Sequence, residues 1–233
     1  MEFWPHFWKA AGRLYLSILA DGLHLEGREH IRPGPQIVIS NHPTVSAMFL
    51  PLFVFPEKLC YLIQADVFDV PLLGRALAGA GHFPARRGQR QATLADAHDR
   101  LRQGHSVVIY PEGILSPPRG FAPPQVGAAL LALESGVPVV PLGCYIRERN
   151  IRRFRFRSQG IDRNGVLHFG GKCFVRVGPA WHPPAAPEAD TSDAGLRRLA
   201  EMLMGQVVAL TRQAEQSAAE VEMTFPAQDR ESA

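Results

Sequence analysis

Polar side chains able to do chemistry stand where three extended runs end. Ile37-Val38-Ile39 is followed by Ser40-Asn41-His42, the run Ser106 to Tyr110 by Pro111-Glu112-Gly113, and an extended stretch from Gly79 closes with Arg86-Arg87. An imidazole has the pKa range to take a proton from a hydroxyl, and a guanidinium matches phosphate or carboxylate with two parallel donors. At a strand's carboxyl end, His42 is either such a general base or a capping histidine without chemistry, and Arg86 and Arg87 are either an anion contact or a surface pair. The sequence lacks a G-x-S-x-G elbow, a dinucleotide loop and a phosphate-binding P-loop, so neither a serine nucleophile nor a nucleotide cofactor is indicated.

The elements that must position these groups alternate between two periodicities. Short β-branched runs at 37–39, 59–63, 106–110 and 137–142 predict buried strands, and helical spacing predicts helices over 43–53, 91–104, 126–134 and 192–217. This alternation implies an α/β fold, a mainly parallel sheet with helices on both sides, which brings the strand ends at His42 and Glu112 to one crevice. Residues 167–177 read as a last strand pair turning at Gly170-Gly171, and 145–157 as an exposed strand with six arginines around Phe154 and Phe156.

With 233 residues and 46% hydrophobic composition, one domain with appendages is expected. The divisions are 1–23, an amphipathic helix; 24–180, the α/β domain; 181–219, a linker and C-terminal helix; and 220–233, a disordered tail. Phe3, Phe7, Leu14 and Ile18, with Trp4, Trp8, Ala11, Tyr15 and Leu19 beside them, form a wide apolar face flanked by Lys9 and Arg13. That face suits either a membrane interface or packing on the chain's own domain, and Lys9, Arg13 and Asp21 interrupt any run of spanning length. Three cysteines without C-x-x-C spacing argue against a disulfide framework or a zinc site and fit a reducing compartment, and no metal is called for. A net charge of +3 carried almost entirely by arginine does not indicate nucleic acid; an anionic membrane surface fits it better.

Together, Ser40-Asn41-His42, Gly81-His82-Phe83-Pro84-Ala85-Arg86-Arg87, Tyr110-Pro111-Glu112-Gly113 and Val137-Pro138-Val139-Val140-Pro141 follow the order and spacing of four blocks of the glycerolipid acyltransferases. Over residues 25 to 180 the chain resembles that family, the bacterial 1-acylglycerol-3-phosphate acyltransferases in particular. The resemblance implies transfer of an acyl group from acyl-CoA or acyl carrier protein, as co-substrate, to the hydroxyl of a lysolipid acceptor at the cytoplasmic face of a membrane. It makes His42 the base, and Asn41, Arg86, Arg87, Glu112 and Gly113 the substrate contacts, with Arg87 ahead of Arg86 for the phosphate. No covalent acyl-enzyme and no cofactor are implied.

The departures from the pattern are as specific. Ala47 stands where the family carries an aspartate that holds the histidine's tautomer, leaving Ser46 or Thr44 to orient His42 through a hydroxyl. Ile114-Leu115-Ser116 replaces Thr-Arg-Ser, which removes an arginine facing the phosphate, and Gln64-Ala65 occupies a place that is often basic. Two expectations follow: an acyltransferase with a less anionic acceptor and weaker support for its base, or a membrane-bound, lipid-binding relative that has lost catalysis.

Overall fold

A computed structural model describes residues 10, 12–17, 20–86, 88–158, 161–184 and 190–224, with only the backbone described at 156, 158 and 161–164. Seven strands form one sheet: β1 (Leu23–Glu26), β2 (Ile37–Ser40), β3 (Leu59–Gln64), β4 (Phe83–Ala85), β5 (Ser106–Ile109), β6 (Val139–Tyr145) and β9 (Cys173–Val177), in the order β1-β9-β6-β2-β5-β3-β4. The strands from β6 to β4 are parallel, whereas β9 runs antiparallel to β6 and carries β1 parallel to itself. From β2 the chain crosses to β3 and β4, then returns to lay β5 and β6 on either side of β2. Parallel strands joined this way put all their carboxyl ends on one edge, and the crevice opens where the direction of winding reverses.

The central strands are buried on both faces, which is why their sequences are unbroken runs of Val and Ile rather than alternations. Ile37, Ile39, Val107, Ile109 and Val139 face α3 (Arg90–Arg102), α4 (Gly127–Ser135) and α5 (Asp193–Thr224). Val38, Val108, Val140 and Leu142 face the opposite layer, where Ala47, Leu50, Val54 and Phe55 pack. Two shorter helices, α1 (Pro51–Val54) and α2 (Leu73–Gly79), complete the α-helices named here. The amphipathic α5 is capped by Ser192, whose Oγ accepts from Gly195 N at 3.1 Å, and it lies so close to β6 that a Cβ on Gly143 would sit 2.2 Å from Thr211 N.

Three expectations are corrected. The helix expected over 43–53 is a 3-10 helix at Val45–Phe49 followed by α1, because Thr44 Oγ1 caps Ala47 N at 3.1 Å and Pro51 has no N–H with which to continue the first turn. Residues 167–177 are not a hairpin: β8 (Ile161–His168) pairs with β7 (Ile151–Ser158) in a separate two-stranded ribbon, and after Gly170-Gly171 the chain enters the main sheet as β9. Residues 220–224, expected to belong to a disordered tail, are helical, since α5 continues to Thr224; residues 225–233 lie outside the described ones.

Most of the N-terminal amphipathic face also lies outside the described residues. Residues 12–17 are helical, and of the two apolar stripes Tyr15 is buried while Leu14 is 60% exposed. Among the described residues no helix is long and apolar enough to cross a membrane.

Leu203 on α5 is 1% exposed within the layer facing β2 and β5. Truncation to Ala should cost about 2–5 kcal/mol of stability, read by denaturant unfolding.

Candidate active site

His42 leaves β2 at the carboxyl edge, and its backbone is held by the loop that follows β5. Its N–H donates to Ser116 Oγ at 2.9 Å, and its carbonyl accepts from Ser116 N at 2.9 Å. Ser116 Oγ in turn donates to Glu112, whose second oxygen accepts from Ala122 N at 2.8 Å. Glu112 is 3% exposed and both of its oxygens are occupied, so it acts by positioning Ser116 and through it the histidine. Gly113, at φ 67°, makes the turn that sends the chain back toward Ser116, with Gly113 N donating to Tyr110 O at 2.9 Å.

Asn41 braces the other flank. Its Nδ2 donates to Cys144 O at 2.8 Å and its Oδ1 accepts from Cys144 N at 2.8 Å, tying the end of β2 to β6. The side chain expected to contact substrate is therefore committed to the backbone. His82, part of the second block, accepts from Tyr61 N at 3.1 Å and fastens β4 to β3; burial, reinforced by Lys58 and Arg100, lowers its pKa to about 4.

The His42 ring stacks on Tyr110, with centroids 4.0 Å apart and planes 12° from parallel. Its Nδ1 is buried without a hydrogen-bond partner, as is the Tyr110 hydroxyl. Burial lowers the His42 pKa to about 4; the Thr44 backbone lies near enough to favour the charged ring slightly, though outside hydrogen-bond geometry. The hydroxyls expected to replace the aspartate do not reach the ring. Thr44 Oγ1 bonds Ser46 Oγ at 3.2 Å and Ala47 N, while Ser46 Oγ accepts from His168 N at 3.3 Å.

Arg86 follows β4, three strands from β2 along the same edge, about 14 Å at ordinary strand spacing. Its Nη1 is 3.0 Å from Asp96 on α3, a half-exposed ion pair. Arg87 lies outside the described residues. The structure thus brings together His42, Glu112 and Gly113, turns Asn41 inward, and leaves Arg86 paired at the far end of the edge. Ser116 was legible only as part of an altered block, although it is the serine that block retains.

A model of the acyltransferase family matches residues 22–145, more than half of the chain and every group just described up to β6. The chain belongs to the acyltransferase family. This acyltransferase is 26% identical over 202 residues to the 1-acyl-sn-glycerol-3-phosphate acyltransferase of Pseudomonas aeruginosa, covering 84% of this chain and 73% of that one. With the 1-acyl-sn-glycerol-3-phosphate acyltransferase beta of Homo sapiens it shares 30% identity over 129 residues, 52% of this chain and 46% of the relative. Its fold is that of the 1-acyl-sn-glycerophosphate acyltransferase PlsC from Thermotoga maritima, with a TM-score of 0.63, 20% identity, and coverage of 94% of this chain and 79% of that one.

Two outcomes follow from the clamp and the buried ring. Ser116→Ala leaves the His42 N–H without its acceptor and Glu112 without its donor; stability should fall by about 1–3 kcal/mol, and displacement of the ring should lower kcat by roughly 10²-fold, measured by thermal unfolding and thioester release. Because the folded pKa of His42 lies near 4 against an ordinary 6.5, the unfolded chain binds more protons between those values and stability drops as pH falls through them. Wild type should lose stability relative to His42→Gln between pH 6.5 and 4 and show a constant difference above, as followed by urea unfolding.

Proposed function

We propose that the chain moves a fatty acyl group from the thioester of acyl-CoA or acyl carrier protein to the hydroxyl of a lysophospholipid-like acceptor, at the cytoplasmic face of a membrane. The observation that carries this reading is His42 fixed between β5 and β6 at the open edge of the sheet, with both peptide groups of the residue clamped by Ser116. With Nδ1 buried, the acceptor hydroxyl must approach Nε2. His42 takes that proton, the oxygen attacks the thioester carbonyl, and the thiolate leaves carrying the electron pair of the broken C–S bond. The apolar Ile114 and Leu115 beside the clamp favour an acceptor with fewer charges than a free phosphate monoester, and its phosphate falls to Arg87 because Arg86 is paired with Asp96.

A second reading, a relative that binds lipid or acyl donor without catalysis, is favoured by one observation. Among the described residues no acceptor in hydrogen-bond geometry meets the Nδ1 proton that a base working through Nε2 must carry, and burial has removed much of the ring's basicity. Ala47 is where that deficit arises.

Thioester release against a panel of lysophospholipids decides between them. Wild type should turn over and His42→Ala should be inactive while retaining its unfolding midpoint; unchanged turnover in that variant would remove His42 as the base. Ala47→Asp should raise kcat more than it changes KM, because a carboxylate there stabilises the imidazolium that forms only as the proton moves. If both wild type and a stably folded Ala47→Asp variant bind acyl donor and release no thiol, the second reading holds.

A further inference from the structure

The β7–β8 ribbon is the part of the fold that the proposed reaction does not use. From 147 to 168 the sequence has seven arginines against Glu148 and Asp162, a local charge of +5 where the whole chain carries +3. The arginines divide into two groups. Those at the base act as braces: Arg147 donates to Ala218 O, pairs with Glu222 at 3.4 Å and lies 5.2 Å from the Phe174 ring centroid, and Arg149 bonds Glu222 at 2.7 Å. Farther along, Arg153 pairs with Glu148, and Arg155 and Arg157 stand exposed opposite Asn164 and Asp162 in the register.

Alternation along β7 puts Arg153, Arg155 and Arg157 on one face and Arg152 with Phe154 on the other, so both faces are basic. Phe154 is 44% exposed and lies across Gly165, where a Cβ would come within 2.4 Å of its ring. The root of the ribbon is attached to the active-site loop: His168 N donates to Ser46 Oγ at 3.3 Å, and His168 Nδ1 shares a 2.6 Å hydrogen bond with the Tyr15 hydroxyl. Next to these three residues in sequence are Phe169, Val45 and Leu14, large apolar side chains exposed by 40%, 42% and 60%.

We propose that this ribbon docks on an anionic bilayer, with its arginines among lipid phosphates and Phe154 at the headgroup boundary. Charge complementarity and an aromatic set between arginines on a two-faced ribbon fit a headgroup layer, which surrounds the ribbon; a protein partner would meet one face. The attachment at Ser46 places the loop after His42 against the same surface, so acceptor lipid reaches the site without leaving the membrane. That catalytic consequence rests on the proposed function; the docking does not.

The test uses the full chain, an Arg155→Gln/Arg157→Gln double variant and Phe154→Ser, sedimented with phosphatidylcholine vesicles of rising phosphatidylglycerol content. At about 1 kcal/mol per basic residue near an anionic surface, the double variant should partition roughly 30-fold less strongly, with the difference vanishing on pure phosphatidylcholine. Phe154→Ser should weaken binding to every composition, and unfolding midpoints should be unchanged. Turnover of vesicle-presented acceptor should fall in parallel while turnover of a short-chain monomeric acceptor is retained. Equal partitioning of wild type and double variant at all compositions would overturn the proposal, and so would unchanged vesicle binding together with lost binding to acyl carrier protein, which would make the ribbon a docking site for an acidic protein. If no form turns over any acceptor yet the vesicle difference persists, the docking stands and the proposed function fails.

Discussion

The exchange of hydrogen bonds between His42 and Ser116 is the constraint on which the site depends. It joins loops leaving two adjacent parallel strands, β2 and β5, and does so through the backbone of the residue whose side chain faces the crevice. A backbone clamp leaves the imidazole free for chemistry while fixing where the ring can point. Its rigidity comes from Glu112: a carboxylate buried at 3% exposure must have its oxygens satisfied, and here both are, by Ser116 and Ala122 N. Removing any one member strands another in a buried position, so the four residues hold as a unit.

The same logic repeats on the other side of β2. Asn41 spends its whole amide on Cys144, one residue from the end of β6, and Ser46 receives the ribbon's His168. Tyr15 extends the chain to the N-terminal helix, and burial keeps this pair uncharged by raising the tyrosine's pKa and lowering the histidine's. The segment from Asn41 to Ser46 is thus fastened at both ends and along its length, by β5, β6, the ribbon and the N-terminal helix. A site assembled from so many chain-distant contacts is cooperative with the fold.

Much of this was legible in sequence where the signal is local. Ile37 to Ile39, Ser106 to Ile109 and the run from Val137 are apolar on both pleats, which only strands of a covered parallel sheet tolerate, and the polar groups at their ends follow from that. Partner choice was not legible. Cys173–Val177 has the same composition whether it turns back on β8 or enters the sheet between β1 and β6, because the deciding contacts lie far off in sequence. Asn41 and Glu112 illustrate the same limit at the site: block order marked them as important but not whether they face substrate or protein, and the structure turns both inward. The stretch after His42 looked helical by spacing, yet a threonine hydroxyl offered to Ala47 N and a proline at 51 were enough to divide it.

The remaining question is electrostatic. A buried imidazole whose Nδ1 has no acceptor pays for every charge it takes on, and a pKa near 4 makes it a weaker base than histidine in water. In the proposed reaction that cost falls on the transition state, where the ring is partly imidazolium. The tyrosine stacked on it offers a π face but no acceptor in the ring plane, and Glu112 is spent on the clamp. Among the described residues around His42, then, no formal negative charge is free to face the ring. The acceptor can supply one: a phosphate that came within about 6 Å of the ring would favour its charged form by roughly 3 kcal/mol at an effective dielectric near 20, and one held farther along the edge by proportionately less. A base that recovers its strength only when an anionic lipid is bound would stay nearly inert toward water. On this view the missing aspartate makes proton transfer conditional on the acceptor rather than abolishing it.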